Sequence, residues 1–210
     1  NDGNANGWEV IGSPGWNVQN GQYGAHLEPG ISNAVPDDAH WNQSWNNYSF
    51  EVDLTGVYGT DKNLVFRFID NLNFYDLHHT GGFIYFSKYI NNQEYRFAER
   101  IYYPLENGST YHFKLQVSGD HFLVFENNVL LFDVTDNVGP KILGGRIGLR
   151  VSTGGVSPTE VWFDNVKVSS LDDTTGPFDL PIEYDGRPNS TPEQFKKSFW
   201  KRLNAAFDHL

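Results

Sequence analysis

The sequence predicts an all-β fold: an antiparallel two-sheet sandwich over residues 1 to about 171, then a linker and one α-helix. Three observations predict it. Short runs rich in Tyr, Phe, Val and Ile recur with a period of two, which places alternate side chains on one face of a strand. Asn- and Gly-rich pairs such as Asn20-Gly21, Asn91-Asn92 and Asn127-Asn128 punctuate them, and such residues make tight turns between antiparallel strands. No helical period appears before residue 171, so strands alone must bury the core.

The elements follow in order. Asn20-Gly21 joins Trp16-Asn17-Val18 to Gln22-Tyr23-Gly24-Ala25 as a hairpin. Over Tyr48 to Leu54, Tyr48, Phe50, Val52 and Leu54 point one way and Ser49, Glu51 and Asp53 the other. Leu64 to Ile69 is a strand ending at Asp70-Asn71, with Phe66 and Phe68 toward the core and Arg67 on the other face. Phe83 to Tyr89 and Tyr95 to Tyr102 read as a pair across Asn91-Asn92. Tyr111 to Val117 and His121 to Glu126 form a hairpin across Ser118-Gly119-Asp120, and Asn127-Asn128 leads into Val129 to Val134. Gly145 to Val151 and Glu160 to Val168 close the set.

Residues 172–190 read as a linker. In Thr191-Pro192-Glu193-Gln194, a Thr cap, a Pro at the first helical position and a Gln two residues on start a helix over 191–210. Phe195, Phe199, Leu203, Ala206 and Phe207 then recur at helical spacing and leave an apolar stripe that requires a partner surface. The sequence thus predicts that this helix begins a further domain downstream.

The 39% hydrophobic and 16% aromatic content suits a globular chain with rings to spare for a surface. A net charge of −11, carried wholly by residues 1–175, argues against nucleic acid, which requires clustered Lys and Arg. The absence of Cys excludes disulfides, zinc–thiolate centres and cysteine nucleophiles. Met is also absent, so the chain is expected to be a processed or excised piece. No run approaches the roughly 20 apolar residues of a membrane span.

Several segments together resemble the concanavalin A-like lectin/glucanase superfamily, in particular laminin G-like and 3-keto-disaccharide hydrolase-like modules of bacteria. They are Asp2-Gly3 through Trp8, Trp16-Asn17-Val18-Gln19-Asn20-Gly21-Gln22-Tyr23, and Phe66-Arg67-Phe68-Ile69-Asp70-Asn71-Leu72-Asn73-Phe74-Tyr75. Gly144-Gly145-Arg146-Ile147-Gly148-Leu149 and Phe163-Asp164-Asn165-Val166 complete the series. The resemblance implies a jelly-roll sandwich, which hosts lectins, adhesins and hydrolases alike. It also implies a structural Ca²⁺ where the first and last strands meet, with Asp2, Asn4 and Asp164 as matching ligands. The alternative for Asp164 is a plain backbone hydrogen bond at a strand end. The tail, from Pro177 to His209, resembles the segment preceding the catalytic domain of lysostaphin-like cell-wall peptidases.

Catalytic patterns are incomplete. The laminarinase-type motif E-x-D-x-x-E is represented by Glu51-Val52-Asp53-Leu54-Thr55-Gly56, which lacks the second Glu, whereas glycoside hydrolysis requires two carboxylates. His78-His79 face opposite ways on a strand and make a poor metal pair. Sugars are bound by aromatic faces together with planar carboxylate, amide and guanidinium groups. The fold implied by the resemblance places such sites on a concave sheet or its rim. Trp41, Trp45, Arg67, Asp70, Tyr75, Tyr85 and Glu99 are the candidate binding residues, with core packing the standing alternative for each aromatic.

The expected function is a non-catalytic carbohydrate- or cell-wall-binding module of a secreted multidomain protein, placed outside the cell or at its surface. Its expected partners are a glycan or cell-wall polymer and a neighbouring domain of the same protein. One alternative is a glycoside hydrolase-like enzyme using Glu51, Asp53, Asp70 or Glu99. The other is a structural spacer that binds no sugar.

Overall fold

The computed structural model describes residues 4–171. Asp2, the linker expected over 172–190 and the helix expected over 191–210, with its peptidase-like resemblance, lie outside the described residues. In chain order the strands are β1 (Trp8–Gly12), β2 (Trp16–Gln19), β3 (Gln22–Leu27), β4 (Ile31–Pro36) and β5 (Tyr48–Tyr58). Then come β6 (Asp61–Asp70), β7 (Asn73–Thr80), β8 (Phe83–Ile90), β9 (Gln93–Arg96) and β10 (Ile101–Tyr102). The last are β11 (Thr110–Ser118), β12 (His121–Glu126), β13 (Val129–Thr135), β14 (Arg146–Ser152) and β15 (Thr159–Ser170).

They form two antiparallel sheets, as the sequence predicts. The first runs β1-β4-β14-β6-β7-β8-β10, with β9 added beside β8; the second runs β13-β12-β11-β5-β15-β3-β2. Between them Phe50, Val52 and Leu54 of β5 meet Leu64, Phe66, Tyr75 and Phe86 of the first sheet. Phe66, Phe86 and Phe122 pack at ring separations of 5.3–6.0 Å. Each ring fully removed from water contributes roughly 1.5–3 kcal/mol. Three of the expected turns have left-handed backbone at both central residues, namely Asn20-Gly21, Asn91-Asn92 and Asn127-Asn128, as type I′ hairpins require.

Two local expectations are corrected. Tyr95 to Tyr102 is not one strand: it breaks after Arg96, where Phe97 turns its ring onto Phe86 at 5.5 Å. At Arg67 the chain adopts φ +47° and the β6–β7 register slips between Phe66 and Asp70. This bulge inverts the alternation. Phe66 and Arg67 both turn inward, and Phe68 joins Val35, Val65 and Phe74 in a small apolar cluster on the outer face.

Two buried cations then tie the loops across the sandwich. The Arg67 guanidinium donates to the carbonyls of Ile142 (3.0 Å), Asn46 and Gly119. Lys88 Nζ pairs with Asp136 Oδ2 at 2.5 Å, also donates to the Val138 carbonyl, and is fully buried. Tyr75 Oη donates to the same Asp136 oxygen at 2.6 Å.

Candidate functional site

The outer face of the first sheet carries polar groups where a sandwich exterior commonly carries solvated ones. Register places them in rows. Arg150 pairs with both Asn33 and Asn63, and His78 pairs with Tyr85. In the next row Val65 pairs with Asp76, Asp76 with Ser87, and Ser87 with Arg96. Each lies two residues from the next along its strand, so the period of two aims them at one face.

This face is built and buried. Asn33, Asn63, Asp76 and Ser87 are at most 1% exposed, although they point away from the main core. His78 Nδ1 donates to Asp76 Oδ2 at 2.8 Å, and Asn63 Nδ2 approaches the same oxygen at 3.4 Å. Asn63 Oδ1 accepts from the His79 amide at 2.9 Å, which fixes the orientation of its side chain. Arg150 Nη1 donates to Asn33 Oδ1 at 3.2 Å, and its guanidinium lies 4.8 Å over Phe74. Ser152 Oγ donates to Asp61 Oδ2 at 2.7 Å. Three buried oxygens on this face have no hydrogen-bond partner: Asp61 Oδ1, Asp76 Oδ1 and Ser87 Oγ. Buried polar atoms without partners are rare in folded proteins, and each one calls for a reason.

Tyr85 sits within a stack. The His78 imidazole lies parallel to it at 4.9 Å, and the Arg96 guanidinium lies 4.2 Å from its ring centre. Arg96 comes from β9, is nearly half exposed, and also pairs with Glu94 at 3.3 Å. Burial works against the charged imidazolium of His78, but the Asp76 carboxylate beside it wins and holds its pKa above the ordinary 6.5.

The structure does not gather the residues expected from sequence into one groove. Trp41 is buried in the main core, edge-on to Trp45 at 5.5 Å and to Tyr48 at 5.8 Å, and Trp45 is partly buried against it. Arg67, expected outside, is buried by its bulge and spent on loop carbonyls. Tyr75 is buried with its hydroxyl on Asp136. Asp70 is exposed in the β6–β7 turn, accepting from the Leu72 amide and Asn73. Glu99 is exposed between β9 and β10. Only Tyr85 stands on the polar outer face. Asp61, Asn63, Asp76, Ser87 and Arg96 were missed. The signal was there: polar residues at alternate positions of strands whose other positions are apolar.

The carboxylates proposed for hydrolysis also lie apart. Glu51 and Asp53 are on β5 in the second sheet, while Asp70 ends β6 in the first. His112 stands between Glu51 and Asp53, with Nδ1 2.6 Å from Asp53 and Nε2 3.6 Å from Glu51. Asn165 Nδ2 takes the other Asp53 oxygen at 2.7 Å. These two carboxylates are occupied by protein.

Asn4 and Asp164 line one cavity of about 220 Å³, with Trp8, Tyr23 and Phe163 among its walls. Asn4 Oδ1 accepts from the Asn6 amide and Asp164 Oδ1 from the Asn165 amide. Among the described residues no group of three or more His, Asp or Glu converges on a point. Calcium takes roughly six to eight oxygens, so these two side chains do not by themselves build the site that the resemblance implies.

No protein-family model matches the chain, and no curated protein matches it. Solved structures do. The chain is similar to the carbohydrate-binding module CBM66 from Bacillus subtilis, with a TM-score of 0.63, 23% identity, and coverage of 78% of this chain and 96% of that one. It is similar to a putative glycosyl hydrolase from Parabacteroides distasonis, with a TM-score of 0.53, 17% identity, and coverage of 79% and 100%. It is also similar to the binding domain of botulinum neurotoxin DC in complex with SialylT, with a TM-score of 0.52, 11% identity, and coverage of 79% and 44%. At these identities the likeness establishes the fold: a jelly-roll sandwich shared by proteins of different activity.

Proposed function

We propose that this chain is a non-catalytic carbohydrate-binding module that takes a neutral glycan on the outer face of the first sheet. The observation that carries this reading is the set of unpartnered buried oxygens on Asp61, Asp76 and Ser87 beside the His78–Tyr85–Arg96 stack. Sugar hydroxyls donate hydrogen bonds that such carboxylates accept, and the guanidinium of Arg96 offers donors to sugar oxygens. Arg96, the exposed member of the stack, covers the Tyr85 ring at the surface, so a ligand on this face meets its guanidinium first. The charge of −11 favours a neutral ligand over an anionic one. The likeness to a carbohydrate-binding module supports the same reading at the level of fold.

A place outside the cell, in a secreted multidomain protein whose neighbouring domain is a second partner, fits this reading. Calcium belongs to it only as a stabiliser at the Asn4–Asp164 cavity, completed by ligands beyond those two. A melting temperature that falls on chelation would support that part, and an unchanged one would remove it. The spacer reading draws on one observation, the burial of Trp41, Tyr75 and Arg67. Affinity electrophoresis of the wild type and Tyr85→Ala through gels cast with soluble neutral polysaccharides separates the two. Retardation that Tyr85→Ala abolishes supports binding; equal mobility in every gel supports the spacer.

A further inference from the structure

A second aromatic platform lies on the opposite sheet. Trp162 of β15 stands between the buried Val161 and Phe163, so it points away from the core. Its partner across the ladder is Gly24. A Cβ on Gly24 would fall 2.6 Å from Trp162 Cε3 and 2.9 Å from Cδ2, so the indole rests on the glycine backbone. Gly24 lies mid-strand without a left-handed φ. A glycine mid-strand weakens the strand relative to alanine, and the room it makes for the indole is what it supplies.

Polar groups surround the platform. Trp162 Nε1 donates to Glu160 Oε1 at 3.0 Å. Glu160 Oε2 accepts from Tyr58 Oη at 2.8 Å and lies 3.0 Å from His26 Nδ1, whose side chain is nearly half exposed. Thr55 pairs with Trp162 on the other side, and its Oγ1 lies 2.7 Å from Thr110 Oγ1. None of these groups has a part in the loop ties or in the first-sheet site. Hydroxyls, a carboxylate and an imidazole at the rim of a flat indole match a sugar, whose C–H groups stack on a ring while its hydroxyls bond around the edge.

We propose that this face is a second glycan-binding site, with a sugar ring stacked on Trp162 and its hydroxyls bonded by Glu160, Tyr58 and His26. It extends the reading above to the other sheet and shares no residue with it. Glu160 and Glu28 make the surroundings acidic, so the ligand is neutral. Two sites on opposite sheets let one chain bridge two glycan strands or bind one polymer with higher avidity than either site alone.

The test is a titration of isotope-labelled protein with short neutral gluco-, xylo-, manno- and fructo-oligosaccharides, followed by NMR. The Trp162 indole N–H, held by Glu160, reports the second site directly. The expected result is that at least one sugar moves this signal in the wild type and equally in Asp76→Asn. Glu160→Gln then loses about tenfold or more in affinity read from this signal, and Trp162→Ala loses as much read from the backbone amides of its neighbours Gly24 and Thr55. Glu160→Gln keeps the shape of the side chain and serves if Trp162→Ala does not fold. Shifts confined to the first sheet would overturn the second site and leave the first standing. Shifts confined to Trp162 would support the second site and overturn the first. A Trp162 signal that no sugar moves, or a folded Glu160→Gln variant with unchanged affinity, overturns the second site.

Discussion

Asp76 Oδ2 accepts a 2.8 Å hydrogen bond from His78 Nδ1, while Asp76 Oδ1, fully buried, has no partner. One half of the carboxylate holds the imidazole against Tyr85, and the other is the acceptor proposed for a sugar hydroxyl. Because the folded pKa of His78 is raised above 6.5, this pair stabilises the fold fully below that pH and loses its effect as pH rises through the folded value. An NMR titration of the His78 ring should give a midpoint above 6.5 in the wild type and a lower one in Asp76→Asn. A wild-type midpoint at or below 6.5 would show that burial prevails over the carboxylate.

The opposite sign holds for His79, whose pKa burial pushes down to about 4. Its Nε2 donates to the Tyr103 carbonyl at 2.9 Å, and the neutral ring suits that place. The protein should therefore lose about 3 kcal/mol of stability from this group as pH falls from 6.5 to about 4. Urea unfolding across that range measures it. His79→Gln, which keeps a donor, should remove most of the loss, and an unchanged pH slope in the variant would refute the assignment.

Lys88 and Asp136 are both fully buried and paired. Removing one charge leaves the other unpaired in the interior, which costs about 3–5 kcal/mol. Lys88→Met should destabilise by that amount in denaturant melts, and a double variant that also carries Asp136→Asn should recover part of it. A cost for Lys88→Met below about 1 kcal/mol would mean that water reaches the pair.

Glu51 and Asp53 have His112 between them and should not cleave glycosidic bonds. Incubation with the oligosaccharide panel, read by chromatography, should show no product. Turnover lost in Glu51→Gln would restore the hydrolase alternative.

The sandwich was legible because its cues are local. Alternation from Tyr48 to Leu54 and the paired Asn turns act over a few residues, and the structure keeps both. The candidate site was less legible because its assembly depends on register. Nothing near Asp76 in sequence shows that Ser87 and Arg96 lie beside it; that follows only from the β7–β8–β9 pairing. Arg67 misled because a bulge reverses which face a residue takes, and a lone non-glycine residue with positive φ has no sequence signature. Trp41 and Trp45 sit in a polar stretch, yet Trp41 packs on Tyr48 and Trp45 on Trp41. Aromatic content showed that rings were available and not which of them were free.

On the reading proposed above, the outer face of the first sheet binds a neutral glycan through Asp76, Tyr85 and Arg96. Isothermal titration of the wild type, Asp76→Asn and Arg96→Ala with the same oligosaccharides is the deciding measurement. The wild type should bind at least one sugar saturably, and both folded variants should bind it about tenfold or more weakly. Binding that both variants retain unchanged, or no binding to any sugar by the wild type, would contradict it.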